Sequence, residues 1–456
     1  MTVTEIAEAK LSPTVKRALL ALVVGGMAAI LDSTMVTLAI HTLVVKLDST
    51  TDAIQWVTTG FLLAMAVAIP ITGWAERRWG GKRVWLAALV LFVLASVLCG
   101  AAWNDVSLIG FRVLQGFGAG LIFPLMQTLA VRAAGGRVSS RLMAAVSMPI
   151  ALGPILGPVI GGLILNWLSW RWLFLINVPV IAVGLWLAAR FLPDDRTAEQ
   201  TAARLDWVGL ALLGPALAGI LLGLSQLSEE GGIAHAGVLV PLLGGAALLA
   251  AFLAAPREIV DVRLMRKRSL GSASAVLFTA GAAMYAAMFL IPLYYQQLRG
   301  DSVLDAGLLL IPQGVGALLA RFLVGKLVDR FGARAVTVAG FLLTALATVP
   351  FALAGPDTGP WWLGAVLLVR GLGLGTLLIP PMSVAYRDTD RADIPHATMN
   401  TRIVQQVGAS FGTAIVAVVL QSHLSHGATT AFQAAFWWSI GITAVAVLPA
   451  VALPKR

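Results

Sequence analysis

The sequence is poor in charged residues and almost free of cysteine. Only 12% of its 456 residues are charged, against about 25% in soluble domains, while 59% are hydrophobic. A single cysteine, Cys99, excludes a disulfide framework. The sequence also lacks a phosphate-binding GxxxxGKS/T loop, an HExxH helix and paired Cys/His clusters. We therefore expect an integral membrane protein that is not an enzyme, is not driven by ATP and uses neither a metal nor another cofactor.

Predominantly apolar runs are spread along the whole chain. A run of roughly 20 such residues crosses the hydrocarbon core of a bilayer as an α-helix. The sequence contains fourteen of them, which predicts an all-α integral membrane protein with fourteen transmembrane helices. The predicted spans lie at about 18–40, 54–74, 84–103, 106–131, 142–166, 172–192, 206–226, 236–255, 270–294, 304–324, 334–354, 361–381, 402–422 and 432–452.

Lysine and arginine are concentrated on one side of the predicted membrane. Of the 32 basic residues, 26 fall in the termini and the even-numbered connections, and the opposite side holds only Lys46, Arg171 and Arg299. Because basic loops face the cytoplasm, we predict a multi-pass protein of the inner (plasma) membrane with both termini in the cytoplasm. The net charge of +10 then reflects topology, and no nucleic-acid partner is expected.

Two loops of the sequence resemble each other. GWAERRWGGKR at 73–83 follows the second span, and GKLVDRFGARA at 325–335 follows the tenth. Parallel repeats of this kind are a common transporter plan, with the binding site near the midplane where the halves meet. Two spans between the repeats have no counterpart. The predicted organisation is therefore a six-span half over 1–192, two inserted spans with their linkers over 193–268, and a second six-span half over 269–456.

Several motifs carry a family resemblance. They are a loop signature at Gly325, Asp329, Arg330, Gly332 and Arg334, a fourth-span signature at Arg112, Gln115, Gly116 and Gly120, and a fifth-span signature at Gly153, Gly157, Pro158, Gly161 and Gly162. Together with LDSTMVTLAI at 31–40 and SWRWLFLINVP at 169–179, they resemble the major facilitator superfamily and its fourteen-span drug:proton antiporter family. The resemblance implies alternating access by a monomer in membrane lipid, exporting a small amphipathic drug-like substrate in exchange for protons.

Asp32 is the one carboxylate that lies in the middle of an apolar span. Acids at bilayer depth are retained mainly where they titrate, bind or pair. Arg112 enters its own span to a similar depth and could face Asp32, so we predict that this pair couples protons to transport. The alternatives are a static ion pair between the first and fourth spans, an Arg112 that binds an anionic substrate, and an Arg112 that snorkels to the membrane surface.

Two further sets of residues are predicted to form conformational gates. Glycines at intervals of four in the fifth span share one helix face and permit close helix approach, and a proline there bends the helix, although ordinary packing explains the glycines equally well. The cytoplasmic loops could join helix ends by ion pairs, although positive-inside topology also explains their bases. In the first loop Arg77 stands where the family has aspartate, with Glu76 one residue earlier. The predicted gate residues are Gly73, Glu76, Arg77, Gly153, Gly157, Pro158, Gly161, Gly162, Gly325, Asp329, Arg330 and Gly332.

Polar side chains that could contact cargo are few, and flexible methionine and aromatic side chains are available to form an adaptable wall. The predicted substrate contacts are Met35, Gln115, Tyr285, Met288, Phe289, Tyr294 and Gln405. Helix packing is the competing explanation for each. Besides the exporter, two functions stay open: a proton-coupled or facilitated transporter of a small polar nutrient or metabolite, and a membrane sensor or scaffold. A nutrient site should contain convergent hydrogen-bonding groups, and a scaffold would not need Asp32.

Overall fold

The computed structural model describes residues 12–135, 140–194, 206–226, 235–254, 262–390 and 393–454, and these are helical, with no strand among them. Local sequence signals start the helices. Ser12 accepts a hydrogen bond from the Val15 amide at 3.3 Å, and Pro13 occupies the first helical position. Asn104 and Ser107 form a reciprocal capping box at the start of a later helix.

The helices before the predicted insert include several that are interrupted within one apolar run. A short 3-10 turn, Val36–Ala39, follows the first helix. The helices are α1 (Pro13–Met35), α2 (Ile40–Lys46), α3 (Thr51–Ala68), α4 (Ile71–Trp79), α5 (Gly81–Gly100), α6 (Asp105–Ala133), α7 (Ser140–Trp167), α8 (Trp172–Leu175) and α9 (Asn177–Phe191).

The rest of the chain continues with α10 (Trp207–Gln226), α11 (Ala236–Ala254), α12 (Arg268–Leu293), α13 (Val303–Leu309), α14 (Ile311–Ala352), α15 (Pro360–Leu374), α16 (Ile379–Ala385), α17 (Ile394–His423), α18 (Ala428–Val445) and α19 (Val447–Val451). A π-helical turn, Tyr294–Leu298, follows α12.

The all-helical membrane architecture is confirmed, but the count of fourteen spans is not. The described residues contain 11 helices that are long and apolar enough to cross a membrane, or 12 if the bent pair α3 and α4 forms one span. Two features account for the difference. Helix α14 runs through two predicted spans, with a non-helical break at Gly332, and α7 covers the predicted span 142–166 without being among those counted.

Internal contacts divide the chain into two compact units. Unit 1 comprises Met1–Ala218, Ala251–Asp261 and Arg391–Met399, and unit 2 comprises Gly219–Ala250, Val262–Asp390 and Asn400–Arg456. Boundaries between the units fall within helices α10, α11 and α17. The predicted division into two repeat halves and an insert, with borders after residues 192 and 268, stays a prediction.

The two similar loops, at 73–83 and 325–335, have nearly the same backbone turn. Gly80 has φ 85° and ψ 143°, and Gly332 has φ 82° and ψ 156°. Both residues occupy the same place in their loop sequences, seven positions after Gly73 and Gly325 respectively. Because L side chains rarely adopt positive φ, the turn requires glycine at both positions.

The predicted inserted helices pack tightly against each other within unit 2. A Cβ atom placed on Gly219 of α10 would lie 2.7 Å from the carbonyl oxygen of Pro241 in α11, so the two backbones are in contact. Ile220 and Leu224 of α10 also form a buried cluster with Ala414 of α17. Helix α11 is otherwise little enclosed, with 17% of its most apolar stretch buried.

Candidate functional site

Asp32 lies near the end of α1 and is completely buried. Its oxygen Oδ2 accepts a hydrogen bond from Nη1 of Arg112, with which it forms an ion pair. The other oxygen, Oδ1, accepts hydrogen bonds from Nε2 of Gln115 and Nδ2 of Asn177, both at 2.9 Å. A charge removed from water is tolerated when it is paired and its remaining lone pairs are satisfied, and both conditions hold here.

Arg112 has several partners besides the carboxylate. Nε donates to the Val57 carbonyl at 3.0 Å, and Nη1 donates to Oε1 of Gln115 at 2.6 Å. The guanidinium carbon also lies 4.1 Å from the centre of the Phe61 ring, which is a cation–π contact. The residue is fully buried. It therefore does not snorkel to the membrane surface, which was one alternative from the sequence.

Close packing between α3 and α6 places the guanidinium beside Val57. A Cβ atom on Gly116 would lie 2.2 Å from the Phe61 carbonyl oxygen, and one on Gly120 would lie 2.4 Å from that of Met65. No side chain larger than hydrogen fits there, so the two backbones touch over a full helical turn. Arg112, one turn before Gly116, is thereby held against the helix that carries Val57 and Phe61.

Gln115 links the two charged residues, and Ser96 supports the link. An arginine only donates hydrogen bonds, so the amide oxygen of Gln115 must face Arg112 and its nitrogen must face Asp32. Oγ of Ser96 accepts from Nε2 of Gln115 at 2.7 Å and from Nδ2 of Asn177 at 3.2 Å. Each of these side chains is at most 2% exposed. The result is a buried polar network within unit 1.

The structure brings Asp32 and Arg112 together and adds Gln115, which the sequence analysis gives as a substrate contact, and two further residues. Asn177 belongs to the segment 169–179 that resembles the fourteen-span branch, so a signal for it was present without a role attached. Ser96 had no such signal, because a lone serine in an apolar span is usually a packing residue. The coupling role of the pair stays a prediction.

The glycine face of α7 packs against the first span. A Cβ atom on Gly153 would lie 2.0 Å from Cγ2 of Ile30, and one on Gly157 would lie 1.9 Å from Oγ1 of Thr34. The Thr34 hydroxyl also donates to the Gly153 carbonyl at 3.2 Å. The face therefore lies against the helix that carries Asp32.

The rest of the predicted glycine motif lies further along α7. Gly161 faces the backbone of Met35, because a Cβ atom added to Gly161 would lie 3.4 Å from the Met35 Cα. Gly162 is buried. The backbone of Pro158 is part of α7, and its side chain lies outside the described part of the chain.

The first of the two similar loops, at 73–83, contains two polar contacts within unit 1. Oε1 of Glu76 lies 2.9 Å from Nη2 of Arg132, forming an ion pair in which the glutamate side chain is 1% exposed and the arginine 39%. Nη1 of Arg77 lies 3.0 Å from Nε2 of His396. Because a guanidinium cannot accept, His396 accepts through Nε2 in this contact. Gly73 is also in close contact, since a Cβ there would lie 2.6 Å from Cε of Met399.

The second of the two similar loops, at 325–335, is more exposed. Asp329 and Arg330 are exposed, Gly325 is half-buried and Gly332 is buried at the backbone turn. Arg330 lies over the Phe331 ring, 5.1 Å from its centre. The predicted gate role of these residues stays a prediction.

Comparison with known proteins identifies the family. Residues 22–413 match the model of the Major Facilitator Superfamily. The chain belongs to this superfamily. A relative from Mycobacterium tuberculosis, named multidrug resistance protein B homolog, is 35% identical over 411 residues, covering 89% of this chain and 76% of that protein. The present chain is therefore a multi-pass membrane transporter rather than an enzyme.

Solved structures of the superfamily share its fold. The human organic anion transporter MFSD10 (TETRAN) aligns with a TM-score of 0.66 at 16% identity, covering 96% of this chain and 100% of that one. The proton:xylose symporter XylE, bound to 6-bromo-6-deoxy-D-glucose, also aligns with a TM-score of 0.66 at 16% identity, over 95% and 94%. At this identity both comparisons show the fold alone.

The predicted substrate contacts of this superfamily member are dispersed. Met35 is fully buried in an apolar cluster with Phe174. Tyr294 is fully buried and donates its hydroxyl to the Gly355 carbonyl at 2.8 Å, and Gln405 accepts from Arg402 at 3.2 Å. Of this predicted set, the half-buried positions are Tyr285, Met288 and Phe289 on α12. Within unit 2 a Cβ on Gly281 would lie 2.4 Å from the Gln405 carbonyl oxygen.

The unequal burial of Glu76 and Arg132 predicts unequal effects of their removal. Arg132→Gln takes the cation from a buried carboxylate, and we expect a loss of stability of about 3 kcal/mol or more. Glu76→Gln removes the buried charge and leaves a half-exposed arginine that water can solvate, so we expect a loss within about 1 kcal/mol. Thermal unfolding midpoints of the purified variants would show which one loses more stability. Arg387→Gln, at an exposed position, is the control. Equal midpoints for the two variants would contradict it.

Proposed function

We propose that this transporter exports small amphipathic, drug-like molecules in exchange for protons, as a fourteen-span member of the superfamily. The observation that carries the proposal is the buried network in which Asp32 meets Arg112. The multidrug-resistance name of the relative from Mycobacterium tuberculosis supports the choice of cargo. The predicted orientation, with both termini in the cytoplasm, belongs to the same proposal.

The network has the properties that a proton-coupling site needs. Three donors face the Asp32 carboxylate, and among these three Arg112 is the charged one. A helix movement that withdraws Arg112 removes the strongest of them, and Asp32 can then take up a proton. Arg112 keeps other partners in that event, the Val57 carbonyl and the Phe61 ring. A proton on Asp32 and a change of helix position are thereby linked.

The glycine face of α7 gives that movement a defined path. Gly153 and Gly157 touch α1 on the turns that flank Asp32. Because the side chains of Ile30 and Thr34 lie directly against the backbone of α7, a shift of α7 is transmitted to the part of α1 that carries Asp32. We propose that alternating access uses this contact, and that cargo and proton compete for the two arrangements of the network.

Transport by the purified full chain in lipid vesicles tests the proposal. A pH gradient is imposed, and a panel of cationic, neutral and anionic amphipathic fluorescent compounds is offered. We expect gradient-driven movement of at least one compound, lost when an ionophore collapses the gradient and absent from protein-free vesicles. A pump-deficient bacterium expressing the chain should also survive toxic members of the panel. Gradient-driven uptake of a sugar or amino acid, with no drug flux, would instead indicate the nutrient transporter.

We also propose that α10 and α11 are dispensable for coupling. Neither helix contains a carboxylate or a base, and both pack against each other and against α17 in unit 2. Replacing residues 206–254 by a cytoplasmic linker should keep gradient-driven transport, while the lost contact with Ala414 lowers the unfolding midpoint. A gentler version uses cysteine substitutions along both helices in a Cys99→Ala background. Substrate protection there equal to that around Asp32 would show that the pair lines the pathway.

A further inference from the structure

Unit 2 contains a second buried arginine, Arg370, in helix α15. The residue is 1% exposed. Its Nε donates to Oγ1 of Thr348 at 3.1 Å, and Nη1 donates to Oε1 of Gln313 at 2.6 Å. Both partners are on α14, one on each side of the break at Gly332. Arg370 therefore lies where three helical segments of unit 2 meet.

Arg370 has no carboxylate partner within the described residues. Apart from the bonds to Thr348 and Gln313, it makes no hydrogen bond or ion pair there. A guanidinium has five N–H donors, of which these two neutral acceptors use two. Arg112 differs, because Asp32 neutralises it. A buried charge normally requires a counter-charge, and the acids in the described part of unit 2 lie in connections or near helix ends: Asp301, Asp305, Asp329, Asp357, Asp388 and Asp390.

Backbone contacts hold this arginine and its partners in place. A Cβ atom on Gly371 would lie 2.0 Å from the Gln313 carbonyl oxygen, and one on Gly316 would lie 2.1 Å from that of Leu368. Helices α14 and α15 therefore touch through their backbones beside Arg370. Gln313 is half-buried, so the cluster has one partly open side. The donors of Arg370 are fixed in position before any ligand binds.

We propose that Arg370 binds the carboxylate group of an apolar cargo molecule; this deepens the proposed export function and rests on it. A carboxylate fits the planar edge of a guanidinium through two parallel hydrogen bonds. Because the site lies deep in the membrane, we expect the rest of the cargo molecule to be apolar. Arg370 is the eleventh residue of α15, so it lies about 15 Å along the helix, near half the hydrocarbon thickness of about 30 Å. Val366 and Leu367, one turn earlier, belong to an apolar cluster with Tyr294 and Phe351.

Binding of naphthoate to the purified full chain in lipid nanodiscs tests this site. Naphthamide, which has the same ring and no charge, is the matched neutral probe, and calorimetric titration gives both affinities. We expect naphthoate to bind and naphthamide to bind at least about thirtyfold more weakly, as expected when a buried charged hydrogen-bond partner is lost. Equal affinity of the two probes would overturn the proposal.

Two substitutions locate the site. Arg370→Gln should weaken naphthoate binding about thirtyfold or more. Gln313→Glu keeps the shape of the side chain and supplies a carboxylate from within, so it should abolish naphthoate binding without lowering the unfolding midpoint. Gln297→Glu, at an exposed position of unit 2, is the matched control for added charge. If Arg370→Gln does not fold, the naphthoate affinity of Gln313→Glu still tests whether Arg370 binds the carboxylate. Wild-type affinity in Gln313→Glu would mean that Arg370 is a structural cross-link only.

The remaining outcomes separate this site from the export function. If chloride displaces naphthoate at equal concentration, the site takes small inorganic anions, and the assignment to cargo is wrong. Gradient-driven export of panel compounds without naphthoate binding would overturn the Arg370 site and leave the exporter standing. Naphthoate binding that depends on Arg370, in a protein without gradient-driven flux, would overturn the exporter and leave a carboxylate-binding site.

Discussion

Replacing Asp32 by asparagine should abolish proton-driven transport. The amide has nearly the same volume as the carboxylate but does not titrate, so the link between the proton and the helix position is lost. In vesicles with an imposed pH gradient we expect substrate movement at the level of protein-free vesicles. Exchange of labelled for unlabelled substrate without a gradient should persist, since it requires no net proton transfer. Gradient-driven flux at the wild-type rate would exclude Asp32 as the coupling residue.

The stability of this variant needs a matched control. Removing one partner of a buried ion pair costs about 3–5 kcal/mol, because Arg112 then remains as a buried cation. The double variant Asp32→Asn with Arg112→Gln removes both charges, and it should recover much of the unfolding midpoint but none of the coupling. Asp357→Asn makes the same chemical change at an exposed position and should transport normally. Recovery of coupling in the double variant would assign the proton to another group.

Gly157→Leu should impair transport strongly. Even the Cβ atom of a residue at this position would lie 1.9 Å from Oγ1 and 2.7 Å from Cβ of Thr34, so α7 and α1 must separate. Overpacking of this kind costs about 1–3 kcal/mol, and we expect the rate of gradient-driven transport to fall about tenfold or more. Initial transport rates at equal protein content of the vesicles measure the effect.

Two comparisons connect that loss to the helix contact. Gly110→Leu places the same side chain on α6 at an exposed position with no atom within 4 Å of the added Cβ, and it should transport normally. Gly157→Ala combined with Thr34→Gly moves the small residue to the other helix, where the nearest backbone atom of Thr34 is 3.5 Å from the new Cβ. That pair should transport better than Gly157→Ala alone. Full activity of Gly157→Leu would mean that this contact does not move during transport.

The apolar runs of the sequence predict the helices better than they predict the boundaries between helices. Apolar runs indicate helices reliably, because the hydrocarbon core requires about 20 such residues per crossing. They do not indicate where one helix continues into the next. Helix α14 is an example, since it contains two predicted spans that are separated only by the non-helical turn at Gly332.

The sequence by itself determined the helical membrane class and the superfamily motifs, and it led to the hypothesis that Asp32 faces Arg112. An acid and a base inside apolar runs are conspicuous, and helix rise alone places them at matching depth. Only the tertiary structure decided what completes the network, because Asn177 reaches Asp32 from a helix distant in sequence and Ser96 reaches Gln115 from the neighbouring helix α5. It also decided that Arg370 has neutral partners. The periodicity of apolar residues indicates which face of a helix is apolar. Only the packed structure shows which other helix lies against that face.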